Sequence, residues 1–125
     1  IEPKAERRAR IAANATALGV PLIQIIDGRA PAILDGLPAP DAIFIGGGVS
    51  ATGVVAACWD ALKPGGRLIA NVVTIEGEQT ITRYQSTLGG ELVQMNVARA
   101  EPVGPYQGWR PLMGVTQWRL EKSRR

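Results

Sequence analysis

Two periods of apolar and polar residues alternate along the chain. From Ala5 to Leu18, the positions Ala5, Arg8, Ile11, Ala12, Ala15 and Leu18 recur at spacings of three and four. Lys4, Glu6, Arg7, Arg10 and Asn14 are left for water, and the pattern predicts a helix. Pro3 suits its first turn and Gly19 its end. Ile1-Glu2 reads as the tail of a strand, and Leu22 to Ile26, apolar apart from Gln24, reads as a second strand. The segment Asp27-Gly28-Arg29-Ala30-Pro31 then turns, a short helical turn passes through Ile33 and Leu34, and Asp35 to Pro40 breaks the chain.

The run Ala42-Ile43-Phe44-Ile45, opened by Asp41, predicts a strand covered on both faces, as in a parallel sheet. Gly46, Gly47 and Gly48 follow it. Ser50 or Thr52 is expected to cap a helix that carries Val54, Val55, Cys58, Trp59 and Leu62 inward and ends at Lys63-Pro64-Gly65-Gly66. Arg67 to Thr74 predicts a strand, and Glu76 to Leu88 a helix with the acidic first turn that the helix dipole favours. Beyond Gly89-Gly90, Glu91 to Ala98 reads as a strand and Glu101 to Pro111 as a loop rich in proline, glycine and aromatics. Gly114 to Leu120 reads as a last strand, pairing antiparallel with the preceding one at the sheet edge, and Arg124-Arg125 as a solvated tail.

This alternation predicts an α/β fold: a doubly wound, mostly parallel Rossmann-like sheet with an antiparallel C-terminal edge hairpin, built as a single domain over residues 1–125. With 46% hydrophobic residues the chain can bury a core, and no apolar run approaches the length of a membrane helix. The lone Cys58 cannot form an internal disulfide and reads as a core residue, so a cytoplasmic location is expected. There is no histidine, which removes the commonest general base and metal ligand, and no metal site is expected. A net charge of +3 falls short of the dense basic face of a nucleic-acid binder.

The chemistry is expected at the carboxyl ends of the strands, where open α/β sheets bind ligands. Gly46 to Gly48 present bare backbone there, which serves either a plain strand-to-helix turn or the close approach of a ligand.

Four features in order, Glu2 at a strand end, Asp27-Gly28 after the next strand, Asp41 to Gly48, and Leu62-Lys63-Pro64-Gly65-Gly66-Arg67-Leu68, resemble the later part of a class I S-adenosylmethionine-dependent methyltransferase. Within that superfamily, the stretches IEPKAERR, DGRAP, DAIFIGGG, LKPGGRLIANVVTIE and GWRPLMGVTQWRLEK resemble the carbon-15-methylating, decarboxylating domain of the precorrin-6Y C5,15-methyltransferases. The resemblance implies S-adenosylmethionine as cofactor, a tetrapyrrole substrate and a homo-oligomer, often a tetramer. It also implies a first strand and glycine-rich loop ahead of Ile1, with an N-terminal methyltransferase domain fused further upstream in some members.

By the same resemblance, Glu2 accepts the ribose hydroxyls, while Asp27, Gly28 and Ala30 border the adenine. Each has a plainer alternative, a charge opening a helix for Glu2 and a simple turn for Asp27. Gly46 faces the cofactor, and Gly47 and Gly48 the acceptor. Asn71 and Thr74 either line the pocket or bond neighbouring backbone, and Tyr106, Trp109 and Arg110 either cover a flat, carboxylate-rich acceptor or pin their loop to the sheet. No residue is marked as a catalytic acid or base, because the reacting ring carbons are nucleophilic already and need alignment. A methyltransferase for another small molecule, or a non-catalytic scaffold of the same fold, is the alternative.

Overall fold

The structure, a computed structural model, describes residues 1–124; Arg125, half of the expected solvated tail, lies outside the described residues. The chain divides into two compact units, Ile1–Pro38 and Ala39–Arg125.

In the first unit, helix α1 spans Ala5–Ala17, and a turn of 3-10 helix covers Leu34–Gly36. Pro3 and Lys4 lead into the helix, and the Gly19 N–H bonds the Thr16 carbonyl at its end. The expected inward stripe is largely uncovered: Ala15 is buried, but Ile11 and Leu18 are exposed. Leu22 to Ile26 forms no ladder; one backbone bond, from the Glu2 N–H to the Ile26 carbonyl at 3.0 Å, is what remains of the expected pairing. A strand is defined by its neighbour, and a single bond between two short segments builds none.

The second unit holds strands β1 (Ala42–Ile45), β2 (Arg67–Val72), β3 (Glu91–Met95), β4 (Ala98–Val103), β5 (Tyr106–Pro111) and β6 (Val115–Glu121). Its helices are α2 (Val54–Ala61) and α3 (Ile75–Leu88). Four strands make one sheet in the order β1-β2-β6-β3, with β1 parallel to β2 and β6 antiparallel to both neighbours. The expected α/β class and the antiparallel pair at the sheet edge are therefore present. The last strand, however, lies inside the sheet, and β3 is the edge.

One face of this sheet is the core. Leu68, Ala70 and Val72 alternate along β2, pair in register with Leu120, Trp118 and Thr116 of β6, and are all buried. Val54, Val55 and Cys58 of α2, Leu62 just beyond it, and Ile81 of α3 complete the cluster. Trp118 is 0% exposed, stacks on Tyr84 of α3 and donates its indole N–H to the Gly89 carbonyl at 2.9 Å, so its polar edge is satisfied where its ring is buried. The opposite face mixes apolar residues, Phe44, Ile69, Val93 and Val115, with polar pairs. Asn71 accepts from Gln117, Arg119 grips Glu91, and Arg67 bonds Glu121. Arg67 holds the Glu121 carboxyl below the usual glutamate range, so this pair contributes fully above that range and loses its contribution as pH falls beneath it through the lowered pKa. The pair faces solvent, and its share of stability is small.

Three expectations change. Phe44 is 63% exposed and Ala42 is exposed, so β1 is not covered on both faces. It is the terminal strand of its sheet, with its inward Ile45 alone buried. Neither Ser50 nor Thr52 caps α2. Gly53, at φ +81°, opens the helix through its backbone, with its carbonyl accepting the Ala57 N–H. The segment read as a loop is a hairpin: β4 and β5 pair antiparallel from Ala98↔Pro111 to Val103↔Tyr106. Prolines at 102 and 111 disguised it, yet they are tolerated because both strands of a two-stranded sheet are edges.

The Lys63-Pro64-Gly65-Gly66 turn fixes where β2 begins. Gly65 has φ +78°, and a Cβ on Gly66 would lie 2.9 Å from the Asp41 carbonyl, so neither position accepts a side chain. Lys122, just past β6, donates its ammonium to the Trp59, Asp60 and Leu62 carbonyls, closing the end of α2. No helix among the described residues is long and apolar enough to cross a membrane.

Thr74 is the cap of α3, its hydroxyl accepting the Gly77 N–H at 3.0 Å. Thr74→Ala is expected to lower unfolding free energy in urea by about 1 kcal/mol and Thr74→Ser to preserve it. Burial pushes the Cys58 thiol pKa up, keeping it protonated and shielded. Iodoacetamide at neutral pH should therefore leave the folded protein unlabelled and label it fully once urea unfolds it.

Candidate functional site

In the first unit, two of the expected cofactor residues, Glu2 and Asp27, meet around one guanidinium. The Glu2 backbone is bonded to Ile26, which brings Glu2 beside Asp27. Arg8, one turn into α1, donates from Nη1 to the Glu2 carbonyl at 3.0 Å, the Pro3 carbonyl at 2.8 Å and Asp27 Oδ1 at 2.9 Å. The Glu2 side chain is 18% exposed; its Oε1 accepts the Lys4 N–H at 2.9 Å, and its Oε2 lies 3.9 Å from Arg7. A carboxylate offers about four acceptor positions, so this one keeps capacity for a diol. The Asp27 side chain, 69% exposed, is engaged on Oδ1 alone.

Gly28 has a packing reason of its own. A Cβ there would stand 2.9 Å from Ile33, so the turn closes on that side chain only with glycine. Ala30 precedes a cis peptide bond to Pro31.

In the second unit, the parallel register places Ile45 beside Ala70, so Gly46 leaves β1 level with Asn71. The glycine run and the segment Asn71 to Thr74 therefore share the carboxyl end of the two parallel strands. A Cβ on Gly46 would come within 2.9 Å of the exposed Phe44 ring, whereas nothing lies within 4 Å of one on Gly47 or Gly48. The backbone at 47 and 48 is open to an incoming molecule.

Thr74 makes the plainer contact foreseen for it, bonding the backbone as the cap of α3, whereas the Asn71 Oδ1 accepts from the Gln117 side chain on β6 at 2.8 Å, a contact with no neighbouring backbone. Tyr106, Trp109 and Arg110 do not share a face. Strand alternation and the pairs Val103↔Tyr106, Ala100↔Trp109 and Arg99↔Arg110 put Tyr106 and Arg110 on one side of the hairpin and Trp109 on the other. Arg110 is paired with Glu101 at 2.9 Å. Trp109 stands 78% exposed.

Sequence reasoning assigned Arg8 to the inward stripe of α1 and so missed its contacts with Glu2 and Asp27. The signal available was a cation on an otherwise apolar stripe, near the helix start, in a stretch whose neighbouring turns carry carboxylates.

A family model described as a precorrin methyltransferase domain matches residues 1–122. A precorrin-6Y C(5,15)-methyltransferase [decarboxylating] from Sinorhizobium sp is 52% identical over 123 residues, which is 98% of this chain and 30% of the relative. The chain thus spans under a third of the length of that curated protein. Among solved structures, a chain described as a precorrin-6Y C5,15-methyltransferase targeted domain from Corynebacterium diphtheriae superposes with a TM-score of 0.90 at 41% identity, covering 98% of this chain and 73% of that one. The C-terminal domain of precorrin-6Y C5,15-methyltransferase from Rhodobacter capsulatus superposes with a TM-score of 0.87 at 38% identity, covering 97% and 66%. With these matches spanning nearly every residue just described, the chain belongs to the precorrin methyltransferase domain family.

Proposed function

We propose that residues 1–125 act as one methyltransferase-like domain of cobalamin biosynthesis, in the cytoplasm, methylating carbon 15 of precorrin-6Y and removing the carboxylate of an acetate side chain. Bound S-adenosylmethionine supplies an electrophilic sulfonium methyl. In this reading the Glu2 carboxylate takes the ribose hydroxyls, Asp27 with the Gly28 and Ala30 backbone borders the adenine, and Gly46 faces the methionine side. Gly47 and Gly48 form the smooth wall over which the flat acceptor slides.

The observation that carries the reading is the open backbone at Gly47 and Gly48 in a chain of this family. A broad ring system brings its own nucleophilic carbon and its own electron sink for loss of carbon dioxide. The protein is then asked for alignment and a drier site, which glycine backbone and fixed carboxylates supply without a general base. Tyr106, Arg99 and Arg110, on one face of the hairpin, offer a ring and guanidinium forks for an acceptor rich in carboxylates. Asn71, level with Gly46, extends the wall.

The opposite face of the hairpin, Ala98, Ala100, Pro102, Gln107, Trp109 and Pro111, carries no charge, and β4 and β5 pair only with each other. A lone two-stranded hairpin is marginal in water, so this face supports self-association, with a tetramer as the expected assembly. Trp109→Glu should reduce the sedimentation coefficient to that of a smaller species; an unchanged assembly would contradict the role of this face.

The activity is tested by supplying S-adenosylmethionine and precorrin-6Y to the protein as naturally encoded and weighing the product. The expected product gains a methyl group and loses carbon dioxide. Gly47→Val should leave the unfolding free energy within about 0.5 kcal/mol, since its side chain enters open space, yet suppress product formation. A variant as active as the unaltered protein would remove Gly47 from the acceptor wall.

A further inference from the structure

We infer that Arg8 is a positioning residue of the cofactor site, holding the segments that carry Glu2 and Asp27 in one fixed arrangement through a single nitrogen. The inference rests on the cofactor reading above. Glu2 and Asp27 are separated by the whole of α1 and by the segment that follows it, and only two direct links tie their ends together. One is the backbone bond from Glu2 to Ile26 at 3.0 Å. The other is Arg8 Nη1, which reaches the Glu2 and Pro3 carbonyls on one segment and the Asp27 carboxylate on the other.

The consequence lies in orientation. The Glu2 carbonyl belongs to the same residue as the carboxylate proposed for the ribose, so a donor on that carbonyl fixes the peptide from which the side chain projects. The Lys4 N–H bond to Oε1 then fixes the side chain itself. Asp27 has no comparable support. Its side chain is largely in solvent, and without Arg8 it would sample its rotamers freely. An ordinary exposed ion pair contributes little to stability, whereas one that orders two ligand-binding carboxylates acts on affinity.

Calorimetric titration of the naturally encoded protein with S-adenosylhomocysteine separates these roles, with Glu2→Gln marking the portion of binding that belongs to this site. Arg8→Met keeps the apolar stem and removes the donors. It should weaken that portion about 10- to 100-fold, as loss of charge-assisted hydrogen bonds does, with little change in the thermal midpoint. Arg8→Lys, whose ammonium carries three donors, should restore most of the affinity.

Binding weakened by Glu2→Gln but unchanged in Arg8→Met would overturn the inference and leave the cofactor reading standing. Binding insensitive to Glu2→Gln, or absent altogether, would overturn that reading and the inference with it. Equal loss in Arg8→Met and Arg8→Lys, accompanied by a lowered midpoint in both, would reduce Arg8 to a structural residue and also overturn the inference. Should Arg8→Met fail to fold, Arg8→Gln takes its place with the same outcomes.

Discussion

The second unit depends on the buried seam between β2 and β6. Leu68, Ala70 and Trp118 are 0% exposed, and they face one another in an antiparallel register that runs from Arg67↔Glu121 to Val72↔Thr116. Because side chains alternate with period two, that register places Leu68, Ala70, Val72, Trp118 and Leu120 on the helix side and every charged residue of both strands on the other, with Ile69 and Val115 beside the charges. A slip of one residue would bury Arg67, Arg119 and Glu121, so the register has no competitor. Two further features follow from it. The turn at Lys63 to Gly66 sets the start of β2, and the parallel pairing of β1 with β2 brings Gly46 to the level of Asn71. The placement of the glycine run at the sheet's carboxyl end is thus a consequence of hydrophobic packing some distance from it.

The chemistry proposed for that end asks little of side chains. Gly47 and Gly48 offer backbone alone, and on the hairpin Arg110 is paired with Glu101. Such a site suits an acceptor that is already nucleophilic and needs to be held in line. In the first unit the contribution is different in kind. The Glu2 carboxylate takes the Lys4 N–H and the Asp27 carboxylate takes Arg8, and in the proposed reading their remaining acceptor positions serve the ligand. Alignment by rigid backbone and recognition by fixed carboxylates are complementary requirements of methyl transfer without acid–base catalysis.

Much of this was legible in the sequence, for identifiable reasons. The helices at Ala5 and Ile75, the parallel pair around the LKPGG turn and the inner face of α2 follow from strong periodicity bounded by glycine and proline. The roles proposed for Glu2, Asp27 and Gly46 rest on resemblance alone, since an acidic residue before a helix or a glycine run has plainer explanations. The hairpin escaped because Pro102, Gly104, Pro105 and Gly108 mimic loop composition, and its pairing is a matter of register that composition does not carry. The Gly53 helix start escaped because a backbone cap leaves no polar side chain to read. Arg8 escaped because its partners are brought to it by the fold, on segments that periodicity treats as separate elements.

The most direct measurement is the crystal structure of the naturally encoded protein with S-adenosylhomocysteine. The account predicts ribose hydroxyls on the Glu2 carboxylate, adenine against Asp27 and Gly28, and the sulfur turned toward the backbone at Gly46 to Gly48. A ligand bound elsewhere, with the Glu2 carboxylate out of contact with it and the glycine backbone bare, would contradict it.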